Sequence, residues 1–211
     1  MALFSRKPRT RVEVVAAADE ARTRGRVKKA VAGYREALAS EPTDPAVNVK
    51  LGPLLARLGD DEGGASCFRV AAKTHLDAGF VDRAAGVNLA ASAVFPLDEG
   101  FRLELARLNV LRGRKADAVA VLLEGGRALV RARQRDAGVS LLRRALEVEP
   151  WHTDTVLALT PVLARSGEAP KARALVAGLE ARVRGPALRR VRWTAFRVSP
   201  GPRTLWRWLS A

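Results

Sequence analysis

The chain is poor in the residues that catalysis and metal binding draw on. Its 211 residues include one cysteine, Cys67, and two histidines, His75 and His152. A single cysteine excludes an intramolecular disulfide and any cysteine-cluster zinc or iron–sulfur centre. Aromatic residues make up 5% of the chain, a scarcity that suits helices packed through Ala and Leu better than an aromatic-rich β-sandwich. No apolar run approaches the roughly 18 residues of a membrane span. The stretch from Val12 to Ala18 after the basic start is short and broken by Glu13, unlike a signal peptide. A cytoplasmic protein, at most peripheral to a membrane, is expected.

Acidic residues are missing from both ends. The formal charge is +15, from 37 Lys and Arg against 22 Asp and Glu. Residues 1–12 hold four bases (Arg6, Lys7, Arg9 and Arg11) and no acid, and residues 181–211 hold eight arginines and no acid. All 22 acids therefore fall in the body between them, where the bases nearly balance them. A pI near 11.3 invites a nucleic-acid assignment, but the excess belongs to two arms rather than to the body.

The body repeats. Pro42, Pro96 and Pro150 recur at an interval of 54, as do Leu51, Leu105 and Leu159; Gly59, Gly113 and Gly167; and Ala37, Ala91 and Ala145. Within each copy the apolar residues recur at helical spacing, as at Ala30, Tyr34, Ala37 and Leu38. Gly25, Gly59, Gly79, Gly113 and Gly167 each close such a run, as a left-handed glycine after a helix does, and the three prolines follow others. These stops predict about ten antiparallel helices, over 12–24, 26–40, 45–58, 61–77, 80–94, 99–112, 115–131, 134–148, 153–166 and 169–183. The expected fold is an all-α solenoid with a 54-residue super-repeat.

The spacing 5, 4, 3 and 5 between Gly25, Ala30, Tyr34, Ala37 and Pro42 resembles the tetratricopeptide repeat (TPR), a helix-turn-helix unit. Gly79, Ala84, Asn88, Ala91 and Pro96 give the whole series again; Gly59, Gly64, Phe68 and Ala71, and Gly113, Ala118, Leu122 and Gly125, give its first part. Ala137, Leu141, Ala145 and Pro150 keep its later part, and Gly167 with Ala172 begins it a last time. The resemblance covers about residues 11–184 and is similar to TPR segments of bacterial signalling and regulatory proteins, implying a protein-interaction module. Ordinary TPR units recur every ~34 residues, whereas these glycine anchors alternate between an interval of that length and one of about 20. The helix at 61–77 would therefore serve two pairs.

The rare residues read as structural. Cys67 beside Phe68 is a candidate buried thiol, His75 an interhelical residue, and His152 a packed or capping one. Gly63-Gly64 and Gly125-Gly126 lack the Lys and Ser/Thr of a phosphate loop and suit close helix contact. No nucleophile, base and oxyanion site assembles, so no catalytic residue, cofactor or metal is expected. Pro53 and Pro161, two periods apart inside predicted helices, are candidate groove kinks whose freed carbonyls could meet a partner.

Gly185-Pro186 ends the solenoid. Beyond it, Leu188, Val191, Ala195 and Val198 share one helical face, with Arg189, Arg190, Trp193 and Arg197 around the other side. Pro200-Gly201-Pro202 interrupts before a second stretch containing Arg203, Trp206, Arg207 and Trp208. Those eight Arg and Trp residues are the candidates for binding an anionic surface. The segment could cap the last repeat, lie on an anionic membrane, or hold nucleic acid through phosphate contacts and stacking. The resulting plan is a basic N-terminal arm over 1–11, a TPR-like solenoid over 12–184 and a basic, Trp-containing cap or tail over 185–211. The expected function is a non-enzymatic scaffold or adaptor presenting a curved helical groove to a peptide or helix of a protein partner. The alternative is a peripheral membrane-surface or nucleic-acid binder acting through the tail, and the oligomeric state stays open.

Overall fold

The computed structural model describes residues 9–210; Leu3, Phe4, Arg6 and Lys7 of the basic arm lie outside them. The described residues form twelve helices and no strand. They are α1 (Arg11–Thr23), α2 (Val27–Ser40), α3 (Pro45–Arg57), α4 (Asp61–Asp77), α5 (Val81–Val94), α6 (Glu99–Leu111), α7 (Lys115–Arg131), α8 (Arg135–Val148), α9 (Thr153–Arg165), α10 (Ala169–Glu180), α11 (Pro186–Val198) and α12 (Pro202–Leu209). The 54-residue register holds to the residue at the starts of the repeated helices. Helices α2, α5 and α8 begin at 27, 81 and 135; α3, α6 and α9 at 45, 99 and 153; and α4, α7 and α10 at 61, 115 and 169.

Gly25, Gly59, Gly79, Gly113 and Gly167 all have positive φ, between 70° and 85°, the left-handed turn that a Cβ would strain. Two non-glycine residues also take this conformation, Trp151 at φ 68° after α8 and Arg133, in register with Gly25 and Gly79, at φ 66° after α7. The chain divides into two compact units, Met1–Phe95 and Pro96–Ala211.

In the first unit α1 packs on α2, α2 on α3, α3 on α4, and α4 on α5. Helix α4 thus serves two neighbours, and its 17 residues are long enough to offer a small residue to each. Gly64 lies so close to Gly52 of α3 that a Cβ on Gly64 would stand 2.7 Å from the Gly52 carbonyl oxygen. Two turns later Ala72 is buried in turn. Gly63 plays another part than its neighbour. It stands over the carboxylate of Asp60, which accepts the Gly63 N–H at 2.9 Å and caps α4. Phe68 fills the space beside Gly52, edge-on to Phe95 with ring centres 6.1 Å apart.

Two polar clusters tie the first three helices together. The Arg11 guanidinium pairs with Asp44, the cap of α3, and with Glu41 at 3.1 Å. Arg11 thus begins α1 and joins it to the start of α3. Burial would push the Asp44 carboxyl up, but Arg11 and the N–H groups of Val47 and Ala46 hold it below its ordinary range. At the other cluster the Tyr34 hydroxyl donates to Asp19 at 2.6 Å, and Lys50 donates to the same carboxylate at 2.8 Å. Burial, and then the Asp19 hydrogen bond, push Tyr34 up to about 12.

The second unit follows the same rules, with α7 between α6 and α8. Gly126 of α7 and Gly138 of α8 meet closely, a Cβ on Gly126 standing 3.0 Å from the Gly138 carbonyl oxygen and 2.7 Å from Leu142. Leu122, Leu129, Leu141 and Ala145 are fully buried around this crossing. Further on, α9 packs on α10, and α11 lies against both. Gly178 leaves room for the ring of Trp151, over which the Arg182 guanidinium sits 4.1 Å from the ring centre.

Three outcomes are expected. Gly64→Ala forces a methyl group against backbone that cannot swing aside and should cost about 1–3 kcal/mol in chemical denaturation. Gly86→Ala, at an exposed α5 position with nothing within 4 Å, should instead stabilise by about 0.5–1 kcal/mol. Tyr34 is the only tyrosine, so its ultraviolet titration can be followed directly. Its folded value lies above the unfolded value of 10, so its contribution to stability is full below pH 10 and lost as pH rises through about 12. The native chain should show a tyrosinate midpoint near 12 and the denatured chain one near 10.

Candidate functional site

Two surfaces of the second unit carry unusual side chains. The first is a groove of about 380 Å³ between α6 and α8, closed at one side by the start of α7. Leu103, Ala106, Leu122 and Val148 line it, and Val110 and Leu111 extend the apolar lining at its mouth, Leu111 with 65% of its surface exposed. Arg107, Lys115, Arg144 and Glu147 also line it. Arg107 makes a two-pronged pair with Glu104 at 2.6 and 2.8 Å, and Arg144 pairs with Glu147. Lys115 brings a cation to the edge. The site can therefore hold an apolar side chain and favour a negative charge beside it.

Sequence reasoning missed this groove, although the repeat holds a signal for it. Positions 110 and 111 correspond to Ala56 and Arg57 one period earlier and to Ala164 and Arg165 one period later. Only the middle copy places Val and Leu there, both at exposed positions. Pro53 and Pro161 lie half-buried inside α3 and α9. Neither lines this groove, but position 107, which shares their register, is Arg107 on its wall.

The second surface is the pair α11–α12. Val191 is fully buried among Val156, Val176 and Leu179, with Ala195 packed beside it. The predicted apolar face of α11 therefore covers α9 and α10. Opposite Val191 stand Arg189, Trp193 and Arg197, all exposed. Trp193 meets Phe196 at 5.8 Å and Trp208 of α12 at 4.8 Å between ring centres. Glu180, at the end of α10 and 8% exposed, accepts from Arg192 at 2.9 Å and from Arg207. Arg192 also donates to the Arg207 carbonyl at 2.9 Å. One carboxylate thus gathers α10, α11 and α12.

The candidate arginines divide accordingly. Arg190 pairs with Asp154 and Arg207 with Glu180, whereas Arg189, Arg197 and Arg203 are exposed with no carboxylate partner among the described residues. Trp208 is half-buried on α11, and Trp206 points outward with 73% of its surface exposed.

The other singled-out residues are part of the packing. Cys67 is buried, which pushes its thiol up. His75 is half-buried, edge-on to Phe80. The His152 ring nitrogen Nδ1 lies 2.8 Å from the hydroxyl of the buried Thr155, at the start of α9. Among the described residues no group of three or more His, Cys, Asp or Glu is placed to hold a metal ion, and no helix is long and apolar enough to cross a membrane.

Removing the shared carboxylate should release the last helix. Glu180→Gln should weaken the attachment of α12 by about 1.5–3 kcal/mol, the range for hydrogen bonds to charged groups. Trypsin should then cut at Arg203 and Arg207 several-fold faster, with cleavage inside α7 and α8 unchanged.

Comparison with solved structures finds similar helix arrays. PilW, a widely conserved type IV pilus biogenesis factor, is 13% identical, with 97% of this chain and 92% of that one covered and a TM-score of 0.36. A fragment of MamA from Desulfovibrio magneticus RS-1 is 17% identical over 83% of this chain and 97% of that one, TM-score 0.33. A tetratricopeptide repeat protein from Parabacteroides merdae is 11% identical over 93% and 88%, TM-score 0.33. No curated protein matches the chain. The sequence matches the tetratricopeptide repeat family at residues 15–74 and again at 69–125, more than half of the chain, and the two matches overlap within α4, the helix that serves two pairs. The chain belongs to the tetratricopeptide repeat family.

Proposed function

We propose that this chain is a non-catalytic scaffold that holds a peptide or helix of a partner protein in the groove between α6 and α8. The supporting observation is the exposed apolar lining at Val110 and Leu111, where the other two copies of the repeat carry Ala and Arg. At these exposed positions valine and leucine add apolar surface that borders the groove. A large apolar side chain entering beside Leu103 and Val148 would remove that surface from water, worth about 25 cal/mol per Å². A carboxylate next to it would meet Lys115. The expected partner segment is thus short and apolar, with an acidic residue at its edge. Membership of a family of interaction repeats agrees with this function.

A second contact is proposed for the α11–α12 pair, whose exposed arginines and tryptophan suit an anionic surface, with nucleic acid as the less favoured occupant. A cytoplasmic or membrane-peripheral place for the protein goes with that view.

The groove is tested on the full chain. Val110→Glu/Leu111→Glu places two carboxylates at exposed helix positions and should leave the thermal midpoint within a few degrees of wild type. It should reduce retention of a partner captured by the wild-type chain at least about tenfold, since about 1.4 kcal/mol of lost apolar burial suffices for that factor. Equal retention by the variant would remove the groove from consideration.

A further inference from the structure

Helix α12 is amphipathic, and it is mounted with its apolar side outward. At 100° per residue, Leu205, Leu209, Pro202 and Trp206 span one arc of the helix, while Arg207, Thr204 and Trp208 lie on the other side. That second side makes the attachment. Arg207 pairs with Glu180, Trp208 packs tilted against Trp193, and the Thr204 hydroxyl lies 2.9 Å from both the Ser199 and the Gly201 carbonyl oxygens, its one proton shared between them. Trp206 and Leu209 are left 73% and 65% exposed, and none of the eight residues of α12 is buried. Amphipathic helices in folded proteins ordinarily turn the apolar arc inward, whereas here nothing among the described residues covers it.

We infer that α12 is a preformed membrane-contact helix, which inserts Leu205, Trp206 and Leu209 into the boundary layer of an anionic lipid surface. The inference rests on reading α11–α12 as a surface contact, and it names the partner. Charge selects an anionic one. Residues 181–211 contain no acid, and Asp154 and Glu180 are already engaged by Arg190, Arg192 and Arg207. Arg203 lies one helical turn before Trp206, with Arg189 and Arg197 exposed on α11. Anionic headgroups are attracted by such arginines, and the amphipathic indole suits the headgroup level. A second copy packed through the same arc, α12 against α12, would bring Arg203 near Arg203 with no acid on that helix to separate them. Nucleic acid would draw on several free ring faces for stacking, but Trp193 and Trp208 pack against each other and Trp206 alone is fully outward, while Leu205 and Leu209 offer phosphate nothing. An aliphatic arc beside uncompensated arginines matches the two layers of a lipid surface, acyl chains below and charged headgroups above.

The test uses the full chain and sedimentation with phosphatidylcholine vesicles, prepared with and without phosphatidylglycerol, across a range of salt. Wild type should bind the phosphatidylglycerol vesicles and not the neutral ones, with binding weakened by salt. Trp206→Ser/Leu209→Ser should weaken binding at least about tenfold with an unchanged helical circular-dichroism signal, because neither side chain packs inside the protein. Arg189→Gln/Arg197→Gln/Arg203→Gln should also weaken it and flatten the salt dependence. Wild-type binding by the Trp206→Ser/Leu209→Ser variant would overturn insertion while leaving a charged surface contact standing. Binding of an oligonucleotide without vesicle binding would overturn lipid as the partner yet keep α11–α12 as a contact. Binding to neither would end both. A dimer that this double variant dissociates would show instead that a second copy covers the arc.

Discussion

The close approach of helix backbones at Gly52 and Gly64, and again at Gly126 and Gly138, sets the geometry on which each unit depends. At these crossings a methyl group would stand within 3.0 Å of a carbonyl oxygen. The glycines let two helices lie nearer than ordinary side chains permit, and the bulky groups move to either side, Phe68 in one unit and Leu142 in the other. The same twelve-residue interval separates Ala18 from Ala30, Ala72 from Ala84, and Ala106 from Ala118, all buried. Small residues at a fixed interval, rather than a large aromatic core, fix how these helices meet. A chain with 5% aromatics can fold on that basis.

The 17-residue helices α4 and α7 explain why the glycine anchors alternate between a long and a short interval. Each carries two small residues eight positions apart, Gly64 and Ala72 on one and Ala118 and Gly126 on the other. That spacing is a little over two turns, so both lie near one face at different heights along the helix. One helix can then close against its predecessor and its successor. The period of 54 is that of three helices in which the longest is shared.

Much of this is legible in one sequence. The helix boundaries follow from glycines that need positive φ and prolines that cannot continue a helix, and these are local requirements that show as residue types. Arg133 does not show in this way, because its left-handed turn is held by context rather than by the residue. Arg11 reads as part of a basic arm, but its pairing with Asp44 joins the starts of two helices far apart in the chain, invisible without the fold. The groove is hidden for a different reason. Val110 and Leu111 are ordinary as helix residues, and they become informative only once the register shows that the other copies carry Ala and Arg. The Arg/Trp segment stands out by composition, but the division of its arginines between Asp154, Glu180 and solvent requires coordinates.

Both surfaces follow one rule: they lie where the repeat, or the burial of a helix's apolar side, is broken at exposed positions. The groove departs from the register at 110 and 111, and α12 departs from the usual orientation of an amphipathic helix. The function proposed above depends first on a protein partner being held at the former of these places. Hydrogen–deuterium exchange of the full chain, with and without a partner it captures, measures that most directly. New protection should fall on the second half of α6, residues 103–111, and on the end of α8, residues 143–148. Protection confined to other helices, with these two segments exchanging as in the free chain, would contradict it.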